Sequence, residues 1–270
     1  MACPRGARVW ARHALLGRFL NFHAHAQRPL TTRATPTGFL VTEPVVSPFR
    51  TLMLAVFGSG TLAGLVLFAV QHFTVVPLIQ AAEAYEAAGQ EAHSVASHED
   101  DGWQPAEGWE RTSFTALTTV LTGIGFAAML FGVMALAGKT INTRHGALWG
   151  LAAFACVSLA PALGLPPQPP GVAVADLHHR QLWWAGTVIA TAVGVWLIAG
   201  QRRTWLLRSC GAMCLLLPHL IGAPVAIGEN SVPAQLVRRF TIASVATSGI
   251  FWLLAGTLGG FIYSRNDANT

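Results

Sequence analysis

The stretch TLMLAVFGSGTLAGLVLFAVQHFTVVPLIQAA, residues 51–82, contains no formally charged side chain. Its first part is long enough to cross a membrane as a helix, because a bilayer core needs about 20 apolar residues. A strand exposed to lipid would leave its backbone groups without partners, so the stretch predicts a helix. Over the whole chain, 53% of the residues are hydrophobic and 11% are charged, which excludes an ordinary soluble enzyme.

Five further apolar runs follow the first one. The fold class that we predict is therefore all-α, a polytopic membrane helix bundle of about six transmembrane helices, occupying residues 51–264 before a short tail at 265–270. The weakest run is interrupted by Arg208 and by Pro218-His219, and five helices remain without it. The runs lie at residues 112–138, 146–164, 181–200, 204–224 and 240–264.

Residues 1–50 form an N-terminal extension that carries seven Arg and one Glu. One interpretation is a targeting leader of the amphipathic, basic kind. The other, which we favour, is a start site placed too early, with translation beginning near Val45 or Met53. A secretory signal is poorly supported, because no apolar core is followed by a small-residue cleavage site. In either case we expect this extension to be disordered.

The placement of Lys and Arg predicts the orientation, since cytoplasmic loops carry an excess of these residues. With the N-terminus inside, the inner segments carry Arg50, Lys139, Arg144, Arg202, Arg203 and Arg265, and the outer ones carry Arg111, Arg180, Arg238 and Arg239. We therefore expect a multi-pass protein of a bacterial-type cytoplasmic (inner) membrane with both termini in the cytoplasm. Beyond the extension the chain has no excess of basic residues, so no nucleic-acid partner is expected.

The predicted outer loop, residues 80–110, is strongly acidic. It holds eight of the twelve Asp and Glu residues of the chain, together with His93 and His98, and it contains no Lys or Arg. A concentrated negative field raises the local concentration of cations, and carboxylate with imidazole suits a divalent transition metal. The alternative is a solvated acidic loop without a ligand, as most charge runs are.

The end of the first helix leads into this loop. If the helix continues past Pro77, which predicts a kink, His72 and Glu83 lie close to three full turns apart and Glu86 follows one turn later. Ionisable groups at membrane depth indicate a functional site by default. We therefore predict that His72, Glu83 and Glu86 bind a metal ion, the alternative being an interfacial His with a polar tail.

Two other features carry candidate ligands. His219 follows a helix-breaking proline and could bind a metal or carry a proton inside the bundle. Asp176, with the pair His178-His179, resembles a weak cation site, but a polar helix start is the simpler interpretation. The sequence contains no nucleophile–base signature, no HExxH motif and no P-loop, so we expect neither an enzyme nor a permanently bound cofactor.

Several segments in order along the chain resemble the CbtA-type cobalt transporter subunit family. They are TVVPLIQAAEAYE (74–86), WERTSFTALTTVLTGIGF (109–126), LAPALGLPPQPPG (159–171), DLHHRQLWWAG (176–186), LPHLIGAP (217–224) and residues 232–263. Residues 1–50 fall outside the resemblance, which agrees with an early start site. Together the segments cover nearly all of residues 51–264.

The resemblance implies a membrane subunit of a Co²⁺ importer linked to cobalamin biosynthesis. It also implies a partner, a small His-rich membrane protein of the CbtB type, and it supplies no established ligand residues. Co²⁺ would be the transported substrate, although Ni²⁺ or Zn²⁺ would bind similar ligands. A homo-oligomer is compatible with this reading. The alternative function is a non-transporting scaffold, an accessory subunit that stabilises a metal-carrying partner.

Overall fold

The computed structural model describes residues 48–92, 105–138, 140–200, 204–226, 228 and 230–267. These residues form helices and connecting segments and contain no strand, which confirms the predicted all-α class. A π-helical segment, Phe154–Leu159, lies between two short α-helices, Thr143–Ala153 and Ala160–Gly164. The α-helices are α1 Pro48–Thr74, α2 Val76–Ala92, α3 Trp109–Leu136, α4 Thr143–Ala153, α5 Ala160–Gly164, α6 Leu177–Ala199, α7 Trp205–Ile221 and α8 Ala234–Asp267.

Among the residues that the structure describes, five helices are long and apolar enough to cross a membrane. They are α1, α3, the continuous unit Thr143–Gly164 formed by α4, the π-helical segment and α5, then α6 and α8. Large apolar side chains cover their outer surface; Phe57 is 55% exposed and Ile189 is 64% exposed. A soluble monomer rarely exposes so large an apolar surface to water, whereas lipid tails are as apolar as these side chains. The bundle is therefore built for a membrane.

The weak apolar run of the sequence forms α7, which has 17 residues. At ~1.5 Å per residue it extends about 25 Å, slightly less than a hydrocarbon core of ~30 Å. It runs antiparallel to α6. Near one end Gly194 of α6 packs against Gly211 of α7, and near the other end the Trp183 and His219 rings lie 6.0 Å apart. The two helices form a hairpin.

The end of α7 returns the chain to the end of α5. A Cβ atom on Gly164, the last residue of α5, would lie 3.3 Å from the Cβ atom of Ala223. The chain thus passes through the bundle a fifth time before α8 begins, and α8 makes the sixth pass. The last turns of α8 then meet the first half of α1, where a Cβ atom on Gly58 would lie 3.0 Å from Ile262 Cδ1. Consequently, α1 begins at the end of the bundle where α8 finishes.

Glycines let the central helices touch through their backbones. Gly146 and Gly150 of α4 face Gly256 and Gly260 of α8, and a Cβ atom on Gly256 would overlap the carbonyl oxygen of Gly146. Small residues allow this approach between membrane helices, where packing replaces the hydrophobic effect as the stabilising force. We call these four residues the glycine seam.

A second close contact joins α1 to α3. A Cβ atom on Gly60 would lie 2.6 Å from the backbone of Ile124, and one on Gly123 would lie 2.8 Å from the Gly60 carbonyl oxygen. Beside this contact, the fully buried side chains of Phe131 and Trp252 fill the space between α1, α3 and α8. The core of the bundle is therefore made by α1, α3, α4 and α8, while the α6–α7 hairpin packs against the π-helical segment and α5.

Candidate metal site and intramembrane cavity

The helix that carries His72 breaks where the sequence predicts a kink. Pro77 has no N–H group and disfavours a helical residue before it. α1 ends at Thr74, and Val75 forms a turn whose carbonyl oxygen accepts from the N–H groups of Leu78 and Ile79, both at 3.0 Å. His72 and Glu83 therefore do not lie on one uninterrupted helix. His72 lies on the α1 side of the break, exposed and packed against the ring of Phe68.

Glu83, on the α2 side of the break, is bound to an arginine. Its two carboxylate oxygens accept from Arg111 of α3, at 2.5 Å from Nη2 and 3.4 Å from Nη1. Glu107 accepts from the same guanidinium at 2.9 Å. Such a fork-to-fork pair fixes both side chains. A cation that binds Glu83 must therefore compete with Arg111, which the count of charges within residues 80–110 did not reveal.

Glu86 lies one turn further along α2, half-buried against the proline-rich loop before α6. A Cβ atom on Gly171 of this loop would lie 3.2 Å from the Glu86 Cβ atom. Gly171 adopts a φ of +76°, and its carbonyl oxygen accepts from both the N–H and the hydroxyl of Ser231. Glu86 therefore faces the junction of α2, this loop and the start of α8.

His219 lies elsewhere, on the α6–α7 hairpin. It is half-buried, and its ring packs edge-on against Trp183. The indole Nε1 of Trp183 is buried and has no hydrogen-bond partner among the described residues. Asp176, at the start of the same hairpin, accepts from the N–H of His179 at 3.1 Å and is the N-cap of α6, as the simpler interpretation predicted.

No three of the His, Cys, Asp and Glu side chains in the described part of the chain lie close enough together to hold a metal ion. The structure brings Glu83 and Glu86 to the same helix and leaves His219 on a separate hairpin. His93 and His98 lie outside the described residues, so their part in a metal site stays a prediction. Glu83, Glu86 and His72 are called the mouth residues below.

A cavity that sequence reasoning missed lies between α1, α3, the π-helical segment and α8. Its volume is about 310 Å³, and it is open on one side, where Thr118 and Thr122 are exposed. Polar side chains from all four elements line it together with apolar groups, and none of its lining residues in the described chain carries a charge. The polar members are Gln71, Thr118, Thr119, Thr122, Ser158, Ser248 and the indole of Trp252.

The π-helical segment places Ser158 in this cavity. The hydroxyl of Ser248 donates to Ser158 Oγ at 2.8 Å, and Trp252 Nε1 donates to the same oxygen at 3.1 Å. A π-helical turn rotates the residues beyond it relative to a regular helix, and such turns are frequent at functional sites. The only sequence signal for the cavity is the recurrence of Thr118, Thr119 and Thr122 in an otherwise apolar run.

Long apolar helices, a polar cavity between them and acidic residues at one end define a multi-pass membrane protein of the transport type. A family model described as "Probable cobalt transporter subunit (CbtA)" matches residues 49–264. The chain belongs to this family, which confirms the resemblance seen in the sequence. Neither the curated proteins nor the solved structures include a match to this chain.

Proposed function

We propose that this chain is the membrane-spanning subunit of an importer that moves Co²⁺ into the cell for cobalamin biosynthesis. The observation that carries the proposal is the family match, which runs through the whole helix bundle and not through one motif. The acidic segment between α2 and α3 supports it, because such a segment attracts divalent cations. The mouth residues would receive the ion, with His93 and His98 as further ligands, and His219 would bind it separately on the α6–α7 hairpin.

The charges at the two ends of the bundle support an orientation that agrees with inward transport. Arg50, Arg144 and Arg265 lie at the end where α1 begins, and the described acidic residues Glu83, Glu107 and Glu110 lie at the opposite end. By the sequence, this side carries six Lys and Arg residues and the other side four, so the positive-inside rule favours the end where α1 begins as the cytoplasmic one. With both termini inside, the membrane potential would drive a divalent ion inward with about 4.6 kcal/mol per 100 mV, twice the ~2.3 kcal/mol of a single charge.

The orientation predicts which positions can be labelled from outside the cell. In a background without cysteines, Glu110→Cys at the start of α3 should react with a membrane-impermeant maleimide on intact cells. Thr140→Cys, which lies between α3 and α4, should react only after the cells are permeabilised. The measurement is the labelled fraction of each variant on a gel. Labelling of Thr140→Cys but not of Glu110→Cys on intact cells would contradict the proposed orientation of the chain in the membrane.

The importer differs from a scaffold in what it does without a metal-carrying partner. We expect cells that make this chain alone to accumulate ⁵⁷Co²⁺ at least about fivefold above cells without it, which would reject the scaffold role. Background uptake with this chain alone, but uptake when a small His-rich membrane partner of the CbtB type is added, would assign this chain the scaffold role. Background uptake even with the partner would reject the importer. Competition with Ni²⁺ and Zn²⁺ in the same assay would rank the three metals.

A further inference from the structure

We infer that the cavity between α1, α3, the π-helical segment and α8 binds a fully hydrated divalent cation through its water shell. The identity of this ion as Co²⁺ rests on the proposed function, whereas the binding mode rests on the cavity. The mouth residues could ligate the metal directly, whereas the polar groups of the described cavity lining are all uncharged: hydroxyls, one amide and one indole. The cavity is therefore a second site with different chemistry.

The volume of the cavity suits such an ion. A water molecule occupies about 30 Å³ in the liquid, so a cation with six bound waters needs roughly 180 Å³. The cavity offers about 310 Å³. The ion can thus enter with its first water shell complete, and it does not have to give up the hydration energy that makes a bare charge costly inside a membrane.

The hydroxyl groups on α3 face the cavity as hydrogen-bond acceptors. Thr118 donates its proton to the carbonyl oxygen of Phe114 at 2.8 Å, and Thr119 donates to that of Thr115 at 2.7 Å. A hydroxyl that donates to the backbone keeps its oxygen lone pairs for other partners. Waters bound to a cation point their protons outward, so they require acceptors of this kind.

The side of the cavity formed by α1, the π-helical segment and α8 also offers hydrogen-bond acceptors. Ser248 donates its proton to Ser158, which leaves the Ser248 oxygen available as an acceptor. The side-chain amide of Gln71 adds a carbonyl oxygen. An anion would require donors instead, and an apolar ligand would leave these polar groups unpaired. The Ser158 hydroxyl, which accepts from Ser248 and Trp252, and the Gln71 amide also carry donors. The acceptors on Thr118, Thr119, Ser248 and Gln71 outnumber them, so the lining favours a hydrated cation.

The described lining residues include no carboxylate, imidazole or thiolate group, and such a lining suits a site from which a transported ion must leave again. Ligands of that type would strip the water shell and bind a transition metal tightly. A permeation site must instead hold the ion weakly enough to release it. Discrimination between metals would then depend on the mouth residues, and the cavity would accept any ion of similar hydrated size.

A substitution-inert ion separates the two binding modes. Hexaamminecobalt(III) carries six ammine ligands that it does not exchange, so it can occupy an outer-sphere site but cannot be ligated by side chains. The purified full chain, in a cysteine-free background with Thr122→Cys, would be labelled with a cationic methanethiosulfonate reagent. We expect CoCl₂ and hexaamminecobalt(III) chloride each to slow labelling at this position at least about fivefold.

A control distinguishes occupancy of the cavity from general charge screening. Thr112→Cys lies on the same helix but outside the cavity, and its labelling should change less than twofold. Equal protection at both positions would reduce the effect to screening and overturn the inference. Protection of Thr122→Cys by CoCl₂ but not by the hexaammine would show direct ligation, which also overturns it, as would a complete lack of labelling at Thr122→Cys.

Uptake measurements distinguish this inference from the proposed function. Thr118→Val keeps the shape of the side chain and removes its oxygen, so ⁵⁷Co²⁺ uptake should fall at least threefold. The matched control is Thr257→Val, because Thr257 also donates to a backbone carbonyl four residues earlier but does not line the cavity. Uptake without hexaammine protection would refute the cavity site alone, whereas protection without uptake would refute the importer alone.

Discussion

Gly256→Leu is expected to prevent the bundle from folding. Gly256 belongs to the glycine seam, where even a Cβ atom would overlap the carbonyl oxygen of Gly146. Backbone atoms cannot move aside as a flexible side chain can, so α4 and α8 would have to separate. Overpacking in a well-packed core costs about 1–3 kcal/mol and occasionally more. We expect a loss above ~3 kcal/mol here, because a leucine adds three further carbon atoms to the Cβ clash.

The control for this prediction is Gly125→Leu on α3. No atom lies within 4 Å of a Cβ atom built on Gly125, so the leucine would extend into open space on the bundle surface. Leucine also favours a helix over glycine by up to about 1 kcal/mol. The measurement is thermal unfolding of each detergent-purified variant, followed by size-exclusion chromatography. Wild-type unfolding of Gly256→Leu would contradict the backbone contact between α4 and α8.

Glu83→Gln is expected to reduce ⁵⁷Co²⁺ uptake at limiting concentration about tenfold, equivalent to ~1.4 kcal/mol of lost ion binding. The substitution removes the negative charge of the mouth residue that lies nearest to α3 while keeping its size. It also leaves Arg111 paired with Glu107 alone, so less of the positive charge of the guanidinium is neutralised close to the path of the ion. Both effects weaken the binding of a cation. His72→Ala, measured in the same assay, tests the neighbouring mouth residue.

Glu107→Gln is the matched control, because Glu107 also pairs with Arg111 but its side chain is 81% exposed. Its uptake should stay within twofold of the wild type. Arg111→Gln should act in the opposite direction from Glu83→Gln, since it ends the competition for Glu83. A half-exposed ion pair contributes up to about 1 kcal/mol, so the gain is at most about fivefold. Equal uptake in all three variants would exclude Glu83 as a ligand.

The sequence predicts the helices of this fold well and their interruptions less well. Charge-free runs of 20 or more residues have one stable solution in lipid, which is why α1, α3, α6 and α8 match the predicted runs. Arg208 and Pro218 marked the weakest run, and it forms the shortest of these helices, α7. The π-helical segment was not predicted, because FACVSL differs in no local signal from the regular helix around it.

The site was less predictable because its residues come from separate helices. Glu83 and Arg111 are 28 positions apart, and no spacing rule links them. Ser158 and Ser248 are 90 positions apart, and their contact depends on the rotation of each helix about its axis. That rotation is set by packing between backbones at the glycine seam, which the hydrophobicity of the sequence does not encode.

The glycine seam also determines which part of the protein can move. Helices locked together backbone to backbone have few alternative arrangements, so α4 and α8, with α1 and α3 packed beside them, would behave as a rigid body. The α6–α7 hairpin meets that body mainly through the π-helical segment and α5. In a transport cycle, the π-helical segment would therefore serve as the hinge, and rocking of the hairpin would open or narrow the space next to Ser158.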